Sequence, residues 1–193
     1  MTETVRLPIL AAGDATQGED DTGAARPRRR PALSPSRAAD FKQCPLLYRF
    51  RTVDRLPEKP TPAQVRGTVV HSVLEKLFAL PAEYRLPERA RELLAPAWAE
   101  ELAARPELTE LVDTPDADGA DSDELPSWLA EAESLLDAYF RLEDPRRLEP
   151  EACERLVEAE LDSGVLLRGY VDRIDVAPTG EIRVVDYKTG AAP

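Results

Sequence analysis

The chain has 193 residues, 42% of them apolar and 32% charged, with a formal net charge of −12. That length and mix suit one globular domain with room for flexible segments; no apolar run approaches a membrane span, and no basic flank leads into an apolar core as in a secretory signal. Two cysteines, Cys44 and Cys153, give no disulfide framework, so a cytoplasmic protein is expected, and the acidic balance excludes coating a polyanion with the whole surface while leaving room for a local basic groove.

Residues 1–31 mix Gly, Ala, Thr, Asp and a PRRRP cluster without hydrophobic period and are expected to form a disordered tail. One domain is expected over 32–193. In LSPSRAADFKQCPLLYRFR, Ser34 is a good N-cap and Pro35 fits the first helical position, where its missing N–H costs nothing. Pro45 breaks this helix and starts a segment carrying Leu46, Leu47, Tyr48 and Phe50. A Pro-rich link, LPEKPTPAQ, follows. VRGTVVHSVLEKLFAL then shows the stripe of an amphipathic helix at Val70, Val73, Leu74, Leu77 and Phe78. Residues 86–105 predict further helix with Leu93, Leu94, Trp98 and Leu102. The acidic run at 107–126 reads as a long loop, and SWLAEAESLLDAYFRL returns to helical period before Pro145.

The pattern then changes to three β-rich runs, near 155–161, 165–176 and 181–188, separated by the short turns DSG and APTG. Adjacent strands joined this way form an antiparallel meander, and helices followed by a meander predict an α+β fold.

A turn centred on Thr179 places Asp172 opposite Asp186 across the last hairpin, with Lys188 on the same face as Asp186. Opposed Cβ atoms lie roughly 4.5–5.5 Å apart, where like charges repel. Two such carboxylates can share a proton, splay into water, pair with Lys188 or bind a cation. Val171, Ile174, Val184 and Val185 predict a buried strand, which makes unpaired charge expensive and a hard cation attractive. His71, the single histidine, shares a helix face with Glu75 one turn on. Most lone histidines on such helices are structural; the two strand acids make a composite site a reasonable alternative.

Taken together, LSPSRAADFKQCPLLYRF, RGTVVHSVLEKLF, GYVDRIDV and VVDYKTG resemble, in order, the motifs of the RecB-like branch of the PD-(D/E)XK nucleases, which includes AddB-type exonuclease domains. The resemblance implies a restriction-endonuclease-like α/β/α core. It implies a metal-dependent DNA nuclease, a RecB-type exonuclease of recombination or repair, with a catalytically impaired module that binds DNA or a repair partner as the alternative. His71, Asp172, Asp186 and the Tyr187 carbonyl would hold Mg²⁺ or Mn²⁺, and Lys188 would be the catalytic lysine, acting with Asp172 and Asp186. Glu75 and Arg173 flank that set. Family members continue past this strand with a Gln-xxx-Tyr helix, so this sequence is expected to be a truncated product or a remnant. Some relatives hold an iron–sulfur cluster through four cysteines. Here only Cys44 matches, so no cluster is expected and Cys44 reads as a small buried residue. With no GxxxxGK[ST] loop, any helicase or ATPase partner would be a separate chain, and no membrane partner is expected.

Overall fold

A computed structural model describes residues 32–111 and 127–190, the side chains of 127–130 excepted. The expected tail at 1–31 and residues 112–126 of the acidic run lie outside the described residues. The elements run β1 (Ala32–Leu33), α1 (Pro35–Gln43), α2 (Pro45–Tyr48), a π-helical turn (Arg49–Val53), α3 (Pro62–Phe78), α4 (Pro87–Glu92), α5 (Leu94–Ala104), α6 (Ser127–Leu142), β2 (Ala152–Glu160), β3 (Leu166–Val176) and β4 (Ile182–Val185), with short 3-10 turns between some of them. Helices precede most of the sheet, an α+β order consistent with a restriction-endonuclease-like fold. No helix among the described residues is long and apolar enough to cross a membrane.

β3 is the central strand. It pairs with β2, with the two-residue β1 in parallel at Ala32↔Leu166 and Leu33↔Leu167, and with β4 in antiparallel from Val176↔Ile182 to Arg173↔Val185. β1 was not expected from the sequence; two residues are too few to show a period. The β3–β4 register is the one a Thr179-centred turn dictates, with Gly180 at φ 96° supplying the left-handed residue.

The ladder stops one step short of the two acids. The Tyr187 N–H donates to the Asp172 Oδ2 side-chain oxygen at 2.6 Å, so the chain leaves the strand after Val185, and the run predicted to 188 ends there. Val184 is 63% exposed, against the buried strand expected; among the described residues β4 pairs with β3 alone and only its last residue, Val185, is half-buried.

The described chain divides into two compact units. The first comprises 32–53 and 157–169. Here Ser34 caps α1 by accepting from the Arg37 N–H at 3.3 Å, Pro35 occupies the first turn, and α1 closes with Arg51 paired to Asp40 at 2.8 Å and Phe41 edge-on to Tyr48. Cys44 is exposed, which corrects the buried reading. As the residue before Pro45 it is forced into extended backbone (φ −160°, ψ 113°) at the junction of two short helices that bury no residue.

The second unit comprises 54–111, 127–156 and 170–190 and holds the core. Thr61 and Gln64 form a reciprocal capping box, the Thr61 N–H donating to Gln64 Oε1 at 2.9 Å, and Pro62 takes the first turn. The predicted Pro-rich link therefore gives way to helix at Pro62. From there α3 buries Val65, Val69, Val70, Val73, Leu74, Leu77 and Phe78 against α5 and α6, through Leu94, Trp98, Leu136 and Tyr139. The helix expected over 86–105 is two helices. In one continuous helix the ring of Pro96 would clash with the carbonyl four residues back, at Glu92, and α4 ends at Glu92.

Candidate active site

The face of α3 opposite its core stripe lines a cavity of about 510 Å³ with Gly67, Thr68, His71, Ser72 and Glu75; Glu101, Glu154 and Thr189 close it from other elements. His71 and Glu75 thus share a wall, as their spacing predicts. The wall is acidic, so a phosphodiester approaching it unaided meets repulsion.

His71, Glu154 and Asp172 converge, each offering one ligand atom, with all three atoms within 4.8 Å of one another. His71 Nδ1 lies 3.6 Å from Asp172 Oδ1 and 3.9 Å from Glu154 Oε1. The other ring nitrogen, Nε2, donates to the Tyr187 carbonyl at 2.9 Å. Glu154 was not anticipated. Its backbone sits at φ 46°, the left-handed region. Hydrogen bonds from Leu161 to Val165 and from Glu151 to Ile174 bracket ten steps of β2 but nine of β3, the count of a β-bulge. A bulge at Glu154 re-aims its side chain toward α3. Burial pushes the Glu154 carboxyl above the ordinary range; neighbouring Asp172 raises it further, His71 opposes this, and Glu75 adds to it.

Asp186 is placed differently from the other predicted ligands. It is exposed and paired with Lys188, Nζ to Oδ2 2.6 Å, and Lys188 is itself 79% exposed. The hydrogen bond that Lys188 donates to Asp186 holds the lysine's pKa above its usual value, so the amine is charged at neutral pH. Of the five residues singled out from the sequence, His71, Asp172 and Tyr187 meet directly, while Asp186 and Lys188 flank them on the same segment.

Behind this cluster Arg173 is fully buried. Its guanidinium grips Glu143 through both terminal nitrogens (2.5 and 2.9 Å), Asp175 (3.0 and 3.2 Å) and the Tyr187 hydroxyl (2.8 Å), and lies over the Phe78 ring. Burial pulls against its charge, but these acidic partners hold its pKa above the ordinary arginine value. Cys153 lines a second cavity, of about 290 Å³, with Glu75 and Arg85; burial raises its thiol pKa, so it is a poor ligand at neutral pH.

The sequence profile of the PD-(D/E)XK nuclease superfamily matches residues 32–193, the whole described chain. The chain belongs to that superfamily. The matched residues include the triplet Asp186-Tyr187-Lys188, which reads as D-x-K. The chain is also 27% identical over 175 residues to the Gene 69 protein of Mycobacterium phage D29. That match takes in 84% of this chain but 64% of the phage protein, so the chain spans under two thirds of that relative.

Membership makes this a nuclease-superfamily protein, of a class that uses divalent metal ions. The residues present fit such an ion. One imidazole and two carboxylates are donors for Mg²⁺ or Mn²⁺, the imidazole favouring Mn²⁺ compatibility, and the raised Glu154 carboxyl marks negative charge that a cation would neutralise.

Proposed function

We propose that this chain is a metal-dependent DNA nuclease domain of the RecB type, an exonuclease acting in recombination or repair. The observation that supports it most directly is the convergence of His71, Glu154 and Asp172, with the Asp186–Lys188 segment tied to it through Tyr187. His71, Glu154 and Asp172 would hold the ion; Asp186 joins them only by exchanging Lys188 for it. A bound divalent ion supplies an acidified water and neutralises charge growing on the phosphoryl oxygens. The acidic cavity wall excludes the substrate's own anion from the pocket until that charge is balanced. Lys188, charged and exposed, suits electrostatic stabilisation of the phosphoryl oxygens better than proton abstraction, since its pKa is raised. Movement along DNA would fall to a separate ATP-driven chain. The mutual neutralisation of Asp186 and Lys188 favours, as a second reading, an impaired module that binds DNA without cutting it.

End-labelled linear and covalently closed circular DNA, incubated with Mg²⁺ or Mn²⁺, separate these readings. The expected result is loss of the linear substrate alone, abolished by chelation, by Asp172→Asn and by Lys188→Ala. Cutting of the closed circle sinks the exonuclease assignment. Tight DNA binding with no cleavage under either ion supports the impaired module instead.

A further inference from the structure

The first compact unit carries a surface that its own packing does not explain. α1, α2 and the π-helical turn bury no residue. Phe41, Leu46, Phe50 and Val53 follow one another closely in the chain and are 40–64% exposed. Single exposed apolar side chains are ordinary, but a group of large ones marks a contact surface.

The same stretch has a charge opposite to that of the whole chain. Arg37, Lys42, Arg49 and Arg51 are exposed, against Asp40 as the one acid between residues 32 and 53, in a chain of net charge −12. Asp40 is itself paired with Arg51 at 2.8 Å, which ties α1 to the π-helical turn and brings the segments bearing Phe41 and Phe50 together. Tyr48 holds Phe41 edge-on, with ring centroids 5.5 Å apart, and Phe41 stays 54% exposed.

Apolar exposure fits several partners, and the cations decide among them. The buried centre of a protein interface is depleted in charge. A surface for unpaired nucleic acid combines aromatic side chains, on which bases stack, with cations that follow the phosphates. Duplex DNA keeps its bases stacked inside and would offer Phe41 and Phe50 no free base.

We propose that the surface formed by α1, α2 and the π-helical turn binds single-stranded DNA without regard to sequence. Bases stack on Phe41 and Phe50, and Arg37, Lys42, Arg49 and Arg51 meet the phosphates. The inference rests on the DNA-nuclease reading above for its choice of polymer, but it uses no residue of the metal centre.

Anisotropy of a labelled oligothymidylate, measured in EDTA so that nothing is cut, tests it on the full chain. The single strand should bind more tightly than a duplex of equal length. Phe41→Leu keeps apolar bulk without a π face and should bind roughly 5- to 150-fold more weakly, as should Phe50→Leu, while Phe41→Trp should retain affinity. Lys42→Gln should lower the slope of log affinity against log salt by about 0.7. Tighter binding of duplex overturns the proposal, as does unchanged affinity in both leucine variants with an unchanged circular dichroism spectrum. Self-association of the chain that Phe41→Leu abolishes, with no effect on DNA binding, would make the surface a contact between copies instead. A chain that degrades linear DNA with Mn²⁺ but binds no oligothymidylate overturns this surface and leaves the nuclease reading standing. Single-strand binding lost in the leucine variants, without cleavage under either ion, keeps the surface and overturns the nuclease.

Discussion

Replacing Gly67 by alanine tests whether the segment after β4 is seated on α3. A Cβ at this position would lie 2.8 Å from Thr189 Oγ1 and 3.9 Å from Thr189 Cβ. Real Cβ contacts are not that short, and threonine is stiff at χ1, so the Thr189 side chain must shift. Two effects compete. Alanine inside a helix gains about 1 kcal/mol over glycine. Overpacking a tight contact costs about 1–3 kcal/mol. The net change should run from roughly zero to about 2 kcal/mol of destabilisation, or up to about 8 °C in Tm at ~2–4 °C per kcal/mol for a chain of this size. Thr189→Ala removes the offending oxygen, so the double variant should melt about 2–4 °C above Thr189→Ala alone. Thermal unfolding of the four proteins closes the cycle, and the coupling should fall within about 0.5–3 kcal/mol. Full stabilisation of Gly67→Ala in the presence of Thr189 would refute the seat.

Mn²⁺ at about 100 times its Kd should stabilise the folded state by about 2.7 kcal/mol, or ~5–10 °C in a thermal-shift assay. Glu154→Gln and Asp172→Asn should remove that shift, while Asp186→Asn should retain part of it; the reverse ranking would place Asp186 inside the ion's shell in preference to Glu154. Glu143 is subject to burial, which raises its pKa, but hydrogen bonds from Arg173 and Tyr139 and the charges of Arg173 and Arg183 outweigh this and hold it below the ordinary value. Its contribution to stability is therefore complete above the usual carboxylate range and lost as pH falls through the lowered value. Urea midpoints of wild type and Glu143→Gln should accordingly differ at neutral pH and converge in acid, and a gap independent of pH would count against the pairing. Leu77→Ala, at a fully buried position of α3, should cost about 2–5 kcal/mol in urea unfolding. A loss under 1 kcal/mol would mean the stripe is not core.

Local chemistry was the legible part. Ser34 and Pro35 announced α1, the stripe from Val70 to Phe78 announced the buried face of α3, and the APTG turn fixed the β3–β4 register. Pro96 could have revealed the break at Glu92, since its effect on the carbonyl four residues back is a matter of spacing alone. Glu154 was hidden for a different reason. Its approach to His71 depends on an extra residue in β2 and a left-handed backbone that no residue preference announces at a glutamate. Asp186 shows the limit of a period-two argument: alternation holds while the ladder lasts, and here it ends at Val185.

α3 is the hull of the protein on one side and the bench for its chemistry on the other. Val69, Val70, Val73 and Leu77 turn inward while Gly67, Thr68, His71 and Glu75 look out into the cavity. A residue inserted or deleted upstream of His71 would turn everything beyond it by about 100°. Valine would swing toward the cavity and histidine into the packed interior, so the core and the cavity wall would be lost together. Drift within this helix is therefore confined to substitutions that respect both sides. A length change there has no neutral path.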